Sequence, residues 1–245
     1  SCNIYKQYKR PEVDTKGLYR DPVSTTDTLA SDTTNMGMIP WEEMFTDPWL
    51  QSLIRQGLEK NSDLRTAMLQ VDQAEAQLKA ARLAYTPSVA LAPTGGVSSF
   101  DKGKGQWTWT APVSASWEID LFGRLLNSKR GAQAALMQSQ EYKQAVQTQL
   151  ISTIANYYYT LLMLDKQLSI TEETAVSWKK SVETMRSLKE NTTTTNEAAV
   201  VQSEANSYMI EATIPDLQQQ IRETENALCM LLHQAPQQIA RGTLE

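Results

Sequence analysis

Apolar residues recur along this chain with two different periods. Leu64, Ala67, Val71, Ala74, Leu78, Ala81 and Tyr85 step by three and four, which puts them on one face of a helix packed along its whole length. Asp63 is placed to cap that helix and Pro87 to end it, predicting a helix over 62–86. The same alternation returns at Ile154, Tyr157, Leu161, Leu164, Leu168, Thr171, Ala175, Trp178, Val182 and Met185. These positions lie in a proline-free stretch rich in helix formers, which predicts one helix over 123–190, about 100 Å long. Thr192 to Thr195 break it, and Asn196 caps a return helix over 196–233. The return helix carries Ala198, Val201, Ala205, Tyr208 and Ala212, then Ile214, Leu217, Ile221, Leu228 and Leu231 in a shifted phase, with the slip placed at a Pro215 kink.

Between the helices the period falls to two. Trp107, Trp109, Ala111, Val113, Ala115, Trp117, Ile119 and Leu121 alternate with Thr108, Thr110, Pro112, Ser114, Ser116, Glu118 and Asp120, predicting a strand over 107–121 with one greasy and one polar face. A preceding strand is predicted over 88–97, with Gly95 and Gly96 opening a loop toward Gly103 and Gly105. The second strand exceeds the roughly 9 to 11 residues that a tilted strand needs to cross a bilayer, and its tryptophans suit a membrane–water interface. Pro112 has no amide to donate, which predicts a bulge or weakened pairing. A soluble hairpin packed on helices also alternates and stays open as the alternative.

Ahead of these elements, residues 1–40 are polar and carry Pro11, Pro22 and Pro40, reading as an extended leader. Residues 41–60 read as a short amphipathic helix that starts at Asp47-Pro48 and presents Phe45, Trp49, Leu50, Leu53, Ile54 and Leu58. The organisation is thus a leader, a short helix, and a helix–strand–strand–long helix–helix unit over 61–245. The fold class is mainly α with a β-hairpin.

Composition narrows the function. The net charge of −5 is spread along the chain without a basic stripe, which argues against nucleic acid as a partner. The longest apolar run, Ile154 to Leu164, is broken by Asn156 and Thr160 and falls short of a spanning helix. Any membrane contact must use strands or lipid. Cys2 and Cys229 stand at opposite ends and are read as unpaired. The start Ser1-Cys2-Asn3 resembles a precursor trimmed almost to a lipobox cysteine, an ordinary thiol being the alternative.

With one histidine, the chain offers no convincing nucleophile–base pair, and the expectation is that it is not an enzyme. Cys229, Met230 and His233 share one helix face and could in principle hold a soft metal ion, but a buried thiol and a helix-end imidazole explain the same residues. No metal site is assigned. Glu42-Glu43 and Glu172-Glu173 are adjacent rather than facing and read as solvated charges.

The order of elements resembles one repeat of the TolC-like outer-membrane efflux protein family, and local motifs place it in the OprM/CusC/NodT-type lipoprotein branch. Trp41-Glu42-Glu43-Met44-Phe45-Thr46-Asp47-Pro48-Trp49-Leu50 is similar to that family's opening helix, and Asn61-Ser62-Asp63-Leu64-Arg65-Thr66-Ala67 to the start of its next one. Ala80 to Ser88 looks like its passage from helix to strand. Most specific is Ser116-Trp117-Glu118-Ile119-Asp120-Leu121-Phe122-Gly123-Arg124, similar to the signature where the second strand becomes the long helix.

The resemblance implies an outer-membrane channel component of a tripartite efflux system, extending into the periplasm, with this chain as the N-terminal half of a protomer. A naturally half-length protein is the alternative. It implies a homotrimer sharing one β-barrel, a covalent lipid on Cys2 seated in outer-membrane lipid and no other cofactor, and barrel residues Trp107, Trp109, Val113, Trp117 and Ile119 facing lipid or its interface. It also implies that Arg186, Leu188, Asn191, Thr193, Asn196, Glu197 and Val200 form the tip that meets a periplasmic adaptor (membrane fusion protein), itself joined to an inner-membrane resistance-nodulation-division type pump. The rival expectation from another class is a soluble periplasmic coiled-coil scaffold or adaptor.

Overall fold

The structure, a computed structural model, describes residues 11–12, 39–99, 103–191 and 196–244. Cys2 and Thr193 lie outside the described residues. The elements in chain order are α1 (Trp41–Met44), α2 (Pro48–Lys60), α3 (Ser62–Leu83), β1 (Ser88–Leu91), β2 (Thr94–Ser98), β3 (Gln106–Thr110), β4 (Val113–Ser116), α4 (Arg124–Asn191) and α5 (Glu197–Leu231). The mainly helical fold with one hairpin agrees with the sequence pattern.

The 68 residues of α4 make a rod about 100 Å long. Its ten seam positions from Ile154 to Met185 are all buried or half-buried, so the expected stripe is the packed one. The apolar core lies at the middle of this rod, where Leu150, Ile154, Tyr158, Leu161 and Leu164 meet Leu50 and Ile54 of α2, Leu64 of α3, and Leu217, Ile221 and Leu228 of α5. Toward one end α3 alone covers α4; toward the other, α5 does.

The short helix expected over 41–60 is two helices, because Asp47 starts α2 afresh by accepting the Trp49 amide at 2.8 Å, with Pro48 at the first helical position. In α3, Asn61 rather than Asp63 is the cap, accepting from Asp63 N and Leu64 N at 3.0 Å each.

The first half of the α5 seam differs from the expected one, while Ile214, Leu217, Ile221, Leu228 and Leu231 are buried or half-buried as expected. Ala198, Val201, Ala205, Tyr208 and Ala212 are exposed, while Val200, Ser203, Ser207, Ile210, Ile214, Leu217, Ile221, Thr224 and Leu228 are buried or half-buried in unbroken three–four order. There is no phase slip, and α5 runs through Pro215 as one helix. Two small serines, Ser203 and Ser207, fill the seam in that first half, and the greasier Val201 and Tyr208 face outward.

The strands form one hairpin interrupted once. Ser88 pairs with Ser116 through Leu91 with Val113, and Thr94 pairs with Thr110 through Ser98 with Gln106, in a single unbroken register. The gap falls at Ala92-Pro93 opposite Ala111-Pro112, where both prolines lack a donor and Ala92 N still donates to Pro112 O at 3.2 Å. The expected bulge at Pro112 is therefore a gap in the ladder, with the register kept. Gly95 and Gly96 are not a loop opening but part of β2, where the Trp109 ring lies over Gly95, 3.4 Å from where a Cβ would stand.

The strand expected over 107–121 ends at Ser116. Continuing the register would pair Trp117 with Pro87, which has no amide, and the residues before it close the end of α3. Trp117, Ile119 and Leu121 keep the alternation in sequence without a partner strand.

Candidate functional site

The first candidate surface is the hairpin. Cross-strand partners share a face, so Trp107, Trp109 and Val113 stand with Val97, Pro93, Leu91 and Val89, and their large side chains are exposed; Trp107 is 70% and Trp109 76% accessible. The opposite face is a ladder of hydroxyls. Thr94 Oγ1 and Thr110 Oγ1 are 2.6 Å apart, Ser88 Oγ and Ser116 Oγ 2.8 Å, and Thr108 Oγ1 donates to Gly96 O at 3.4 Å. Neither face packs on the helical core. Residues 88–98 span roughly 33 Å along the strand, or ~25 Å along a membrane normal at a ~40° tilt, the height of a barrel's apolar band.

The second is the elbow between β4 and α4. Trp117 Nε1 donates to Tyr85 O at 3.1 Å, tying the end of the hairpin to the end of α3. Arg124 grips Glu118 with two nitrogens, Nε at 3.0 Å and Nη2 at 2.5 Å from Oε1, and Nη2 also reaches Oε2 at 2.5 Å. Asp120 Oδ2 accepts the Leu126 amide at 2.9 Å and so caps the first turn of α4. Desolvation pushes the Asp120 carboxyl upward, but hydrogen bonds from the amides of Leu126, Leu125, Arg124 and Gly123 outweigh it and hold the group below the ordinary 3.8. The Arg124 guanidinium is raised, chiefly by its hydrogen bond to Glu118. Gly123 sits at φ +78, where a side chain would be strained, and this turn directs the chain into α4. Ile119, Leu121 and Phe122 project outward, Phe122 being 89% exposed.

The third is the far end of α4 and α5. Most of the polar residues expected at this tip are engaged within the hairpin of helices. Arg186 donates to Glu204 at 2.6 Å, Lys189 pairs with Glu197, Asn191 Nδ2 donates to Ser187 O at 2.9 Å, and Asn196 caps α5 by accepting the Ala199 amide at 2.9 Å. With Lys179–Glu211 at 3.2 Å they form a ladder of cations on α4 against carboxylates on α5. Leu188 is exposed, whereas Val200, at 4%, is turned into the seam and presents nothing outward.

The hairpin keeps both faces outside the core and feeds a ~100 Å rod, and comparison with known proteins identifies this arrangement. The family model described as "Outer membrane efflux protein" matches residues 53–232. The chain belongs to that family. It is 28% identical over 236 residues to the cation efflux system protein CusC of Escherichia coli O157:H7, covering 94% of this chain and 50% of the relative. It is 29% identical over 196 residues to the probable outer membrane lipoprotein SilC of Salmonella typhimurium, covering 78% of this chain and 42% of that one. The fold matches a crystal structure of CusC with a TM-score of 0.79 at 24% identity, covering 99% of this chain and 54% of that one. The chain thus spans about half the length of the relatives it matches.

Where α2, α4 and the segment after α5 meet, the chain also carries a polar knot that the sequence pattern does not reveal. Arg241, beyond α5, donates to Asp165 through Nε at 2.5 Å and Nη2 at 2.9 Å, and through Nη1 to Glu225 at 2.5 Å and to Ile239 O at 2.8 Å. These partners, Asp165 foremost, raise its already high pKa. Tyr158 donates to Asp47, and Gly242 N donates to Tyr158 at 3.3 Å. Burial first, then the bond to Asp47, push the Tyr158 phenol up to about 12.

Cys229, Met230 and His233 do not converge. Cys229 is buried against Gln237 and Gln234, Met230 is exposed, and His233, at φ 54, is the left-handed residue closing α5, with Gln234 N donating to Cys229 O and His233 N to Met230 O.

Proposed function

We propose that this chain is the first repeat of an outer-membrane channel protomer and that it serves as a passive conduit. The carrying observation is the hairpin. Its apolar Trp107–Trp109–Val113 face and its hydroxyl face both lie clear of the core, and it leads through a fixed elbow into a rod about 100 Å long. In a bilayer the apolar face meets lipid, and the hydroxyl face meets the wet lumen. The open edges of the hairpin require neighbouring strands, because lipid cannot satisfy free amides. A homotrimer of full-length protomers supplies them.

In this reading Trp117 and Ile119 lie at the interface beside the elbow, and Glu118, Asp120, Leu121, Phe122, Gly123 and Arg124 join the membrane part to the periplasmic rod. Cys2 carries the lipid that seats the leader in outer-membrane lipid; the description of SilC as a lipoprotein supports this. The tip around Arg186, Leu188, Asn191, Thr193, Asn196 and Glu197, backed by Val200, meets a periplasmic adaptor joined to an inner-membrane pump. No residue is assigned bond chemistry.

Fractionation of cells expressing the native gene product tests the reading. The protein is expected in the outer membrane, with palmitate label lost on Cys2→Ser. Recovery as a soluble, unlabelled periplasmic protein would refute it in favour of the scaffold reading.

A further inference from the structure

Residues 88–98 and 106–116 contain no Asp, Glu, Lys, Arg or His. The lack of charge on the lipid side is what a bilayer demands, but nothing in the bilayer demands it of the hydroxyl side. That side carries Ser88, Thr94, Ser98, Gln106, Thr108, Thr110, Ser114 and Ser116, with hydroxyls bonded to one another across the strands. Charges return at the elbow already matched. Glu118 is held by Arg124 through both carboxylate oxygens, and Asp120 is turned onto the first amides of α4. Between the end of β4 and the start of α4, then, Glu118 and Arg124 hold each other and Asp120 lies against a helix end. The other charged residues of this stretch, Asp101, Lys102 and Lys104, stand in sequence between β2 and β3, beyond the paired strands.

We propose that the membrane-level passage to which this hairpin contributes is electrically neutral, so that it passes hydrated solutes of either charge and leaves sorting by charge to the proteins that feed the channel. Paired hydroxyls offer water-like hydrogen bonds without a fixed field, whereas a ring of carboxylates or ammonium groups would concentrate one sign of ion. The inference rests on the conduit reading and adds to it the face that solutes meet and the absence of charge selection there.

The test is a planar-bilayer measurement on the full-length native protein, with about 0.1 M KCl facing about 0.01 M, where the Debye length of ~10–30 Å leaves lumen charges effective. The K⁺/Cl⁻ permeability ratio of the native channel is expected within about twofold of unity. Charge is then added after folding, by treating Thr110→Cys channels with an anionic or a cationic methanethiosulfonate; Val113→Cys, on the apolar face, and the native channel with its buried Cys229 serve as controls. The anionic label at position 110 should raise the ratio about threefold or more and the cationic label should lower it similarly, with no change at 113. A native ratio beyond about fivefold from unity, or labels at 110 that leave the ratio unmoved in a conducting channel, overturns the proposal. A protein that inserts and never conducts instead overturns the conduit reading beneath it.

Discussion

Replacing Arg241 with methionine should release the segment after α5 while leaving the helical core folded. Arg241 and Glu225 have side chains only 10% and 9% exposed, whereas Asp165 is 38% exposed. Breaking a buried pair by removing one partner costs about 3–5 kcal/mol, because the other charge is stranded; an exposed partner adds at most ~1 kcal/mol. Glu225 keeps one donor, the Ile239 amide at 3.3 Å, so the lower end applies, about 3 kcal/mol of local docking energy. At tenfold per 1.4 kcal/mol, the amides of Ile239 and Gly242 should exchange roughly 100-fold faster. Hydrogen–deuterium exchange with mass spectrometry on the detergent-solubilised protein reads this directly, and peptides around Ile154 and Leu161 report whether the core is intact. Arg241→Met with Glu225→Gln removes the stranded charge and should restore about half of the protection. Exchange at 237–244 unchanged within about threefold in Arg241→Met would show that the knot holds nothing in place.

Four further outcomes are expected. Tyr158 has a folded-state pKa above its unfolded value, so its contribution is full below pH 10 and lost as pH rises toward about 12; a 295 nm titration should lose one late-titrating phenol in Tyr158→Phe. Asp120 is shifted the other way, so its cap is fully present above pH 3.8 and lost as pH falls through its lowered value; exchange of the Leu126 amide should rise there, and Asp120→Asn should flatten the dependence. Gly57→Ala should destabilise by about 1–3 kcal/mol in a thermal melt despite better helix propensity, because its Cβ collides with fully buried Ile154 Cδ1, whereas Gly131→Ala, in open space, should stabilise by ~0.5–1 kcal/mol. Raising salt from about 0.05 to about 1 M should speed proteolysis near the α4–α5 turn, since screening weakens the Lys179–Glu211, Arg186–Glu204 and Lys189–Glu197 ladder; unchanged cleavage would assign the tip's order to the seam alone.

The legible parts of the molecule were those where one physical requirement governs a run of neighbours. The seams of α3 and α4 could be read because apolar residues, large or small, recur there in three–four order with only Thr171 intervening, although Tyr85 lies past the end of α3 and is exposed. In the first half of α5 the same rule chose the wrong face, since Ser203 and Ser207 fill the seam and Val201 and Tyr208 point out, whereas from Ile214 to Leu231 it chose the buried one. Alternation identified the two faces of the hairpin but not its end, because what stops the ladder at Ser116 is Pro87 on the other strand. The elbow was recognisable as a motif, but the grip of Arg124 on Glu118 and the capping by Asp120 are geometric facts that spacing does not contain. The polar knot is invisible in sequence, since its members lie far apart: 76 residues for Arg241 and Asp165, 111 for Tyr158 and Asp47. At the tip, Arg186 and Glu197 were singled out for docking, although each already has a partner on the neighbouring helix.

The placement of the core explains why this chain can hold a hairpin so far from any packing of its own. Burial is concentrated where α2, α3, α4 and α5 converge, and the polar knot ties the segment after α5 to that point. Away from it α4 has one covering helix on either side, and the rod ends in the elbow on one side and the charge ladder on the other. An isolated two-stranded hairpin is marginal in water, and this one exposes tryptophans on one face and open edges on both sides. In the proposed conduit its order comes from lipid and neighbouring strands rather than from the chain's own core. The elbow makes that dependence workable: with Trp117 fastened to Tyr85, Glu118 to Arg124 and Asp120 to the start of α4, the direction of the hairpin is set by the rod before any neighbour arrives.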